Sequence, residues 1–153
     1  MTTREEKLAQ SRCRFFEDGV SSGLKGKRKL GAMLNQIIWH YSKTSSFLSY
    51  TFVSDEALYQ MNLQYLQHDT YTDIITFNLS ESDQLPLIGD VYISVDRVRE
   101  NARQLQVPYA QELLRVIIHG SLHLAGFDDR TAVQKEEMRR LESHWMKKYV
   151  SGR

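Results

Sequence analysis

The chain has 153 residues, enough to bury a core as one domain over 1–153, and 41% hydrophobic with 25% charged content is ordinary for a globular protein. A net charge of +1 excludes a global field for nucleic acid and leaves any such binding to local patches. One cysteine, Cys13, excludes an intrachain disulfide and fits a reducing compartment; with a polar start and no long apolar run, the expected location is cytoplasmic, without a membrane span.

Taken in order, residues 1–12 predict a disordered or loosely helical lead-in, Arg14 to Glu17 a short edge strand, and Gly19 to Gly26 a loop. Lys25, Lys27, Arg28 and Lys29 gather at the start of the next helix, as a solvated face or a phosphate-contacting patch. Leu30, Met33, Leu34, Ile37, Ile38 and Tyr41 give that helix its apolar face. Ser46 to Val53 alternates as a strand does. Ser54 caps a helix whose buried face is expected at Leu58, Met61 and Tyr65, broken between His68 and Tyr71. Asp73 to Leu79 and Gly89 to Ser94 read as strands, separated by a polar loop with Pro86. Ser94 caps a helix carrying Val95, Val98, Ala102 and Leu105. Pro108 opens a helix made apolar around most of its girth by Leu113, Leu114, Val116, Ile117 and Ile118, which predicts burial between layers. Thr131 and Gln134 form a capping box, and Met138, Leu141, Trp145 and Tyr149 line the last helix. The order β-α-β-α-β-β-α-α-α predicts an α+β fold: a small mixed sheet of about four strands packed with helices, the Pro108 helix central.

That central helix ends in H-G-S-L-H-L-A-G-F-D-D, from His119 to Asp129. His119 and His123 are four apart, hence one turn apart on one helical face, and can grip one ion. Gly126 permits an exit through the left-handed region, and the turn can swing Asp129 back. Two nitrogens and an oxygen leave a fourth tetrahedral position open, the layout of a catalytic zinc site. The bland alternative is two partly buried histidines before an ordinary polar turn. The offsets also match the long metalloprotease motif, but Gly120 stands where zinc peptidases carry their general base.

The same residues resemble the H-G-x-L-H-L-x-G-[YF]-D signature of the YbeY family, bacterial metal-dependent endoribonucleases of ribosomal RNA maturation. Met61 to Phe77, M-N-L-Q-Y-L-Q-H-D-T-Y-T-D-I-I-T-F, is similar to that family's first block, and Ile88 to Ser94, I-G-D-V-Y-I-S, to its G-D-I-x-I-S strand. The resemblance implies a Zn²⁺-like ion and a hydrolase acting on single-stranded ribosomal RNA, in its maturation and in ribosome quality control. The partners it implies are the small ribosomal subunit, an Era-type GTPase and a ribosomal protein. The family commonly has a third histidine where this chain has Asp129, so the ligand role is carried to Asp129 by position, with His144 or Asp128 as fallbacks. It also has an arginine after the tyrosine of the first block, where Leu66 follows Tyr65; Tyr71 replaces a proline.

The expected metal ligands are therefore His119, His123 and Asp129. Thr72, Asp73 and Asp90 are candidates for shaping the cleft, or are turn and cap residues. Arg115 shares the histidines' helical stripe in an apolar run, where an arginine needs an anionic partner. It is expected either to act catalytically with His119, as the fixed cation at the phosphate, or to form a structural salt bridge to Glu112 or Asp90. The rival functions are a non-catalytic ribosome-assembly factor and a zinc hydrolase of another substrate class, such as a peptidase.

Overall fold

The computed structural model describes residues 3–67, 71–82 and 86–152. Its elements are α1 (Arg4–Gln10), β1 (Arg12–Glu17), α2 (Lys27–Ser42), β2 (Ser46–Val53), α3 (Asp55–Leu66), β3 (Ile74–Asn78), β4 (Leu87–Ser94), α4 (Val95–Leu105), α5 (Tyr109–Leu124) and α6 (Ala132–Ser151). The expected α+β class and element order stand, with α1 as a formed lead-in closed by a Thr3–Glu6 capping box. The sheet runs β1-β2-β4-β3, with β1, β2 and β4 parallel and β3 antiparallel on the edge. Both strands that were expected to start later gain residues from pairing. Arg12 pairs with Phe47, extending β1, and Leu87 with Ser46, extending β4.

Strand alternation decides which helix meets which face. Leu48, Tyr50 and Phe52 on β2, with Leu87, Val91 and Ile93 on β4, form one core with Leu34, Ile37 and Ile38 of α2 and Val116, Ile117 and Ile118 of α5. The opposite phase, Val53 and Ile75, packs under Leu58 of α3 in a much smaller cluster. That cluster covers only the start of α3, so Tyr65, expected to be buried, is 60% exposed and meets Phe77 edge-on instead. Leu105, also expected inside, is exposed because α4 outruns its packing in its last turn. The helix break foreseen at 68–70 and part of the loop at 83–85 lie outside the described residues.

α5 lies between the sheet and α6. Its approach to the sheet needs Gly120, where a Cβ would meet Ile74 Cδ1 at 3.1 Å, Val91 Cγ1 at 3.2 Å and the Tyr50 hydroxyl at 3.3 Å. Buried Tyr50 locks the contact. Its O–H donates to the Ile117 carbonyl (2.8 Å), so Ser121 Oγ, also at 2.8 Å, must be the donor to Tyr50. Among the described residues no helix is long and apolar enough to cross a membrane.

Candidate metal centre

With Gly120 held against the sheet, the neighbouring positions His119 and His123 turn toward the open side of α5. Their rings stand edge to face, centroids 4.7 Å apart. The chain then leaves the helix as the sequence predicts. Gly126 takes φ 106°, a region costly for residues with a Cβ, and its N–H returns to the His123 carbonyl at 2.9 Å. Phe127 anchors the turn by meeting Tyr41 edge-on at 4.8 Å, and the Thr131–Gln134 capping box fixes where α6 begins. Between these anchors Asp129 swings back. One carboxylate oxygen lies 3.4 Å from His119 Nε2 and the other 3.4 Å from His123 Nε2. One ligand atom from each of the three residues falls within 4.8 Å of the others.

The other nitrogen of His119 is committed. Nδ1 meets Glu142 Oε2 of α6 at 2.6 Å, and an ionised carboxylate only accepts, so Nδ1 carries the proton and the lone pair of the neutral ring lies on Nε2. A carboxylate behind a histidine in this way is the usual support of a metal ligand. Glu142 is itself buried (2% exposed) and is held by Arg115 Nη1 at 3.1 Å. Arg115 closes the network by gripping Glu112, also buried, with Nε at 2.7 Å and Nη2 at 2.5 Å. The hydrogen-bonded carboxylates push the guanidinium's pKa further up. Thus Arg115 has the structural partner foreseen at Glu112, and Glu142 takes the place foreseen for Asp90. Sequence reasoning missed Glu142, although a charged residue beside Met138, Leu141 and Trp145 on the buried stripe of α6 was a usable signal.

Exposure rises from Glu142 through His119 (14%) and His123 (25%) to Asp129 (38%), so the candidate ligand cluster opens outward at Asp129. His119 and Asp129 face a cavity of about 390 Å³, lined also by Asp73, Arg115, Lys135 and Arg139. Burial pushes the Asp73 carboxyl upward, against the pull of His119 and Arg115, and Asn101 Nδ2 donates to it at 3.1 Å. Burial holds the His123 imidazole below its ordinary value, helped by His119 and opposed by Asp129 and Asp128. That favours the neutral form a metal ligand requires.

The donor chemistry fits a divalent ion. Asp73, Asp129 and Glu142 line the cleft with Glu112 behind them, and Arg115 pairs with two of these four carboxylates, Glu112 and Glu142. A divalent cation on the two free nitrogens and Asp129 would offset part of that negative charge, beside Lys135 and Arg139 on the same cavity. The fallback ligands are not brought in. Asp128 is exposed, and His144 packs edge-on against Trp145 at 5.4 Å. Of the cleft candidates only Asp73 lines the cavity. The Thr72 hydroxyl turns to the Ile74 carbonyl at 3.4 Å. Asp90 is out of phase with Gly89 and Val91, which face α5, so it lies on the other side of the sheet beside Tyr92. The basic knot is elsewhere too: Lys29 sits 4.5 Å over the Tyr149 ring, at the far end of α6.

A sequence model of the Endoribonuclease YbeY family matches residues 25–150. The chain belongs to that family. Curated YbeY relatives include one from Amoebophilus asiaticus, 40% identical over 132 residues, covering 86% of this chain and 89% of that one. Those from Phocaeicola vulgatus and Bacteroides thetaiotaomicron are each 44% identical over 129 residues, covering 84% of this chain and 92% and 93% of theirs. A solution structure from Thermotoga maritima shares the fold, with a TM-score of 0.61 and 28% identity over 91% of this chain and 92% of that one. YbeY membership and a His/His/Asp cluster able to hold a metal thus stand together on one helix and its following turn.

Proposed function

We propose that this chain is a metal-dependent endoribonuclease acting on single-stranded or frayed ribosomal RNA, with one zinc ion held by His119, His123 and Asp129. The observation that carries the reading is the convergence of two imidazoles and a carboxylate on one point, backed by the buried Glu142–Arg115–Glu112 chain, in a member of the YbeY family. When bound, the ion supplies Lewis acidity and positive charge at the scissile phosphate.

The rest is the work of the protein. Glu142 fixes the His119 ring and keeps its proton on Nδ1, leaving Nε2 to face the ligand position. Arg115 is reassigned from a direct phosphate contact to a positioning role: its guanidinium holds Glu112 and Glu142 in place, and through Glu142 the His119 ring. Asp73, its carboxyl raised by burial, is the candidate to hold or release a proton on the cleft lining.

The peptidase alternative loses its base for a geometric reason. Position 120 is closed off by Ile74, Val91 and Tyr50, so a side chain there would enter the sheet contact and not the cleft. The assembly-factor alternative has only the arginine replaced by Leu66 behind it, and Leu66 is exposed at the end of α3. One domain over 1–153, cytoplasmic, meeting the small ribosomal subunit with an Era-type GTPase and a ribosomal protein, completes the reading.

The test is turnover. The zinc-loaded protein should cut a single-stranded ribosomal RNA fragment faster than the same sequence in duplex, and leave casein intact. His119→Ala should abolish cutting while far-UV circular dichroism stays that of the wild type. Casein cleavage, or undiminished RNA cleavage by folded His119→Ala, would reject the reading.

A further inference from the structure

The proposed reaction needs a cation that the cleft floor does not spare. Arg115 is saturated by two buried carboxylates, and Asp73 and Asp129 add negative charge on the walls. An RNA strand entering this cavity would meet repulsion from those groups unless something on the rim offset it.

Two side chains on the rim are free to do so. Lys135 and Arg139 line the same cavity as His119 and Asp129, both are exposed, and neither forms an ion pair among the described residues. Their neighbour Arg140 is different: Glu137 holds it at 2.9 Å through Nε. Lys135 and Arg139 are four apart, one turn on one flank of α6. Like charges at that spacing weaken a helix by a few tenths of a kcal/mol, so helix stability does not explain the pair.

We propose that Lys135 and Arg139 form a phosphate-binding subsite that holds the RNA strand beside the metal cluster, a reading that rests on the nuclease assignment above. The chemistry is that of two side-chain cations on the phosphodiester backbone, without base contacts. The subsite therefore holds the strand regardless of sequence and strengthens binding more than the chemical step. Lysine and arginine should substitute for one another, since the contact is to charge on an exposed rim.

The test compares the zinc-loaded wild type with Lys135→Met/Arg139→Met and with a control of equal charge loss, Lys43→Met/Lys147→Met. Cleavage of a single-stranded RNA, and binding of its 2′-O-methyl counterpart checked by gel to stay intact, are followed across salt concentrations. The cleft double variant should raise KM and the dissociation constant about 10-fold, lower the salt slope by ~0.7 per lost contact, and leave kcat within a few-fold. Metal content and melting temperature should hold, and Lys135→Arg/Arg139→Lys should restore binding. Equal losses in the two double variants would overturn the subsite and leave the nuclease assignment intact. A wild type that bound the strand through Lys135 and Arg139 without cutting it would do the reverse. A wild type that did not bind it would overturn both.

Discussion

The protein carries two pairs of histidines in contrasting company. His119 and His123 sit among carboxylates, with Asp129 across both and Glu142 behind one. His40 and His144 flank Trp145, with ring centroids 5.6 and 5.4 Å from it, and the charges around His40 are Lys43, Lys148 and Arg4. Both pairs offer imidazole nitrogens near the same helix, α6. Only the first is built for a cation, because an ion placed at the second would add charge to a positive cluster. A cavity of about 930 Å³, more than twice the volume of the one at the histidine cluster, teaches the same lesson: it is apolar, lies between the start of α5 and the end of α6, and is lined by none of the four histidines. Convergent polar groups, and not volume, mark the site.

The largest effect expected from breaking this arrangement concerns Arg115. Arg115→Met strands two buried carboxylates, a loss on the order of 3–5 kcal/mol in stability measured by urea unfolding. Replacing Lys148, a cation of the other cluster that is exposed, should change stability by no more than ~0.5 kcal/mol. Equal stabilities for the two variants would show that the buried network is not fixed as described.

A smaller effect should follow from Glu142→Gln, which keeps an acceptor behind His119 but removes its charge. Zinc affinity by competitive chelation should fall ~10–100-fold, the usual cost of losing an outer partner of a ligand. His144→Ala should leave it unchanged. Asp129→His should retain metal and sharpen preference for zinc over manganese, because a harder oxygen donor is exchanged for nitrogen. Unaltered selectivity would remove Asp129 from the ligand set.

The finest test uses pH in the metal-free protein, by nuclear magnetic resonance titration of the imidazoles. Desolvation, helped by the nearby cations, holds His40 below its ordinary pKa, so Lys43→Met should raise it. Asp129 supports the charged form of His123, so Asp129→Asn should lower the His123 pKa further. Shifts in the same direction would contradict the electrostatic contrast.

Much of this was legible in the sequence because it is local. The caps at Ser54, Ser94 and Thr131 act within three residues, and all three bear out. The candidate ligands span only His119 to Asp129, within one helix end and its turn, so spacing could bring them together. Asp90 was misjudged although its phase relative to Val91 and Ile93 already assigned it to the wrong face. The partner of Arg115 at Glu112 is one turn away and was foreseen. Glu142 is 27 residues on, and its approach depends on how α6 packs against α5, which no local pattern encodes. Lys135 and Arg139 carry no local mark of their own in the sequence, and it is the same packing that places them on the cleft.

The most direct test of the central claim is metal stoichiometry by plasma mass spectrometry on purified, folded protein. The account predicts about one transition metal, zinc foremost, per wild-type chain and per His40→Ala/His144→Ala chain, and background levels for His119→Ala/His123→Ala. Full occupancy in the last variant, or none in the wild type after incubation with zinc, would contradict it.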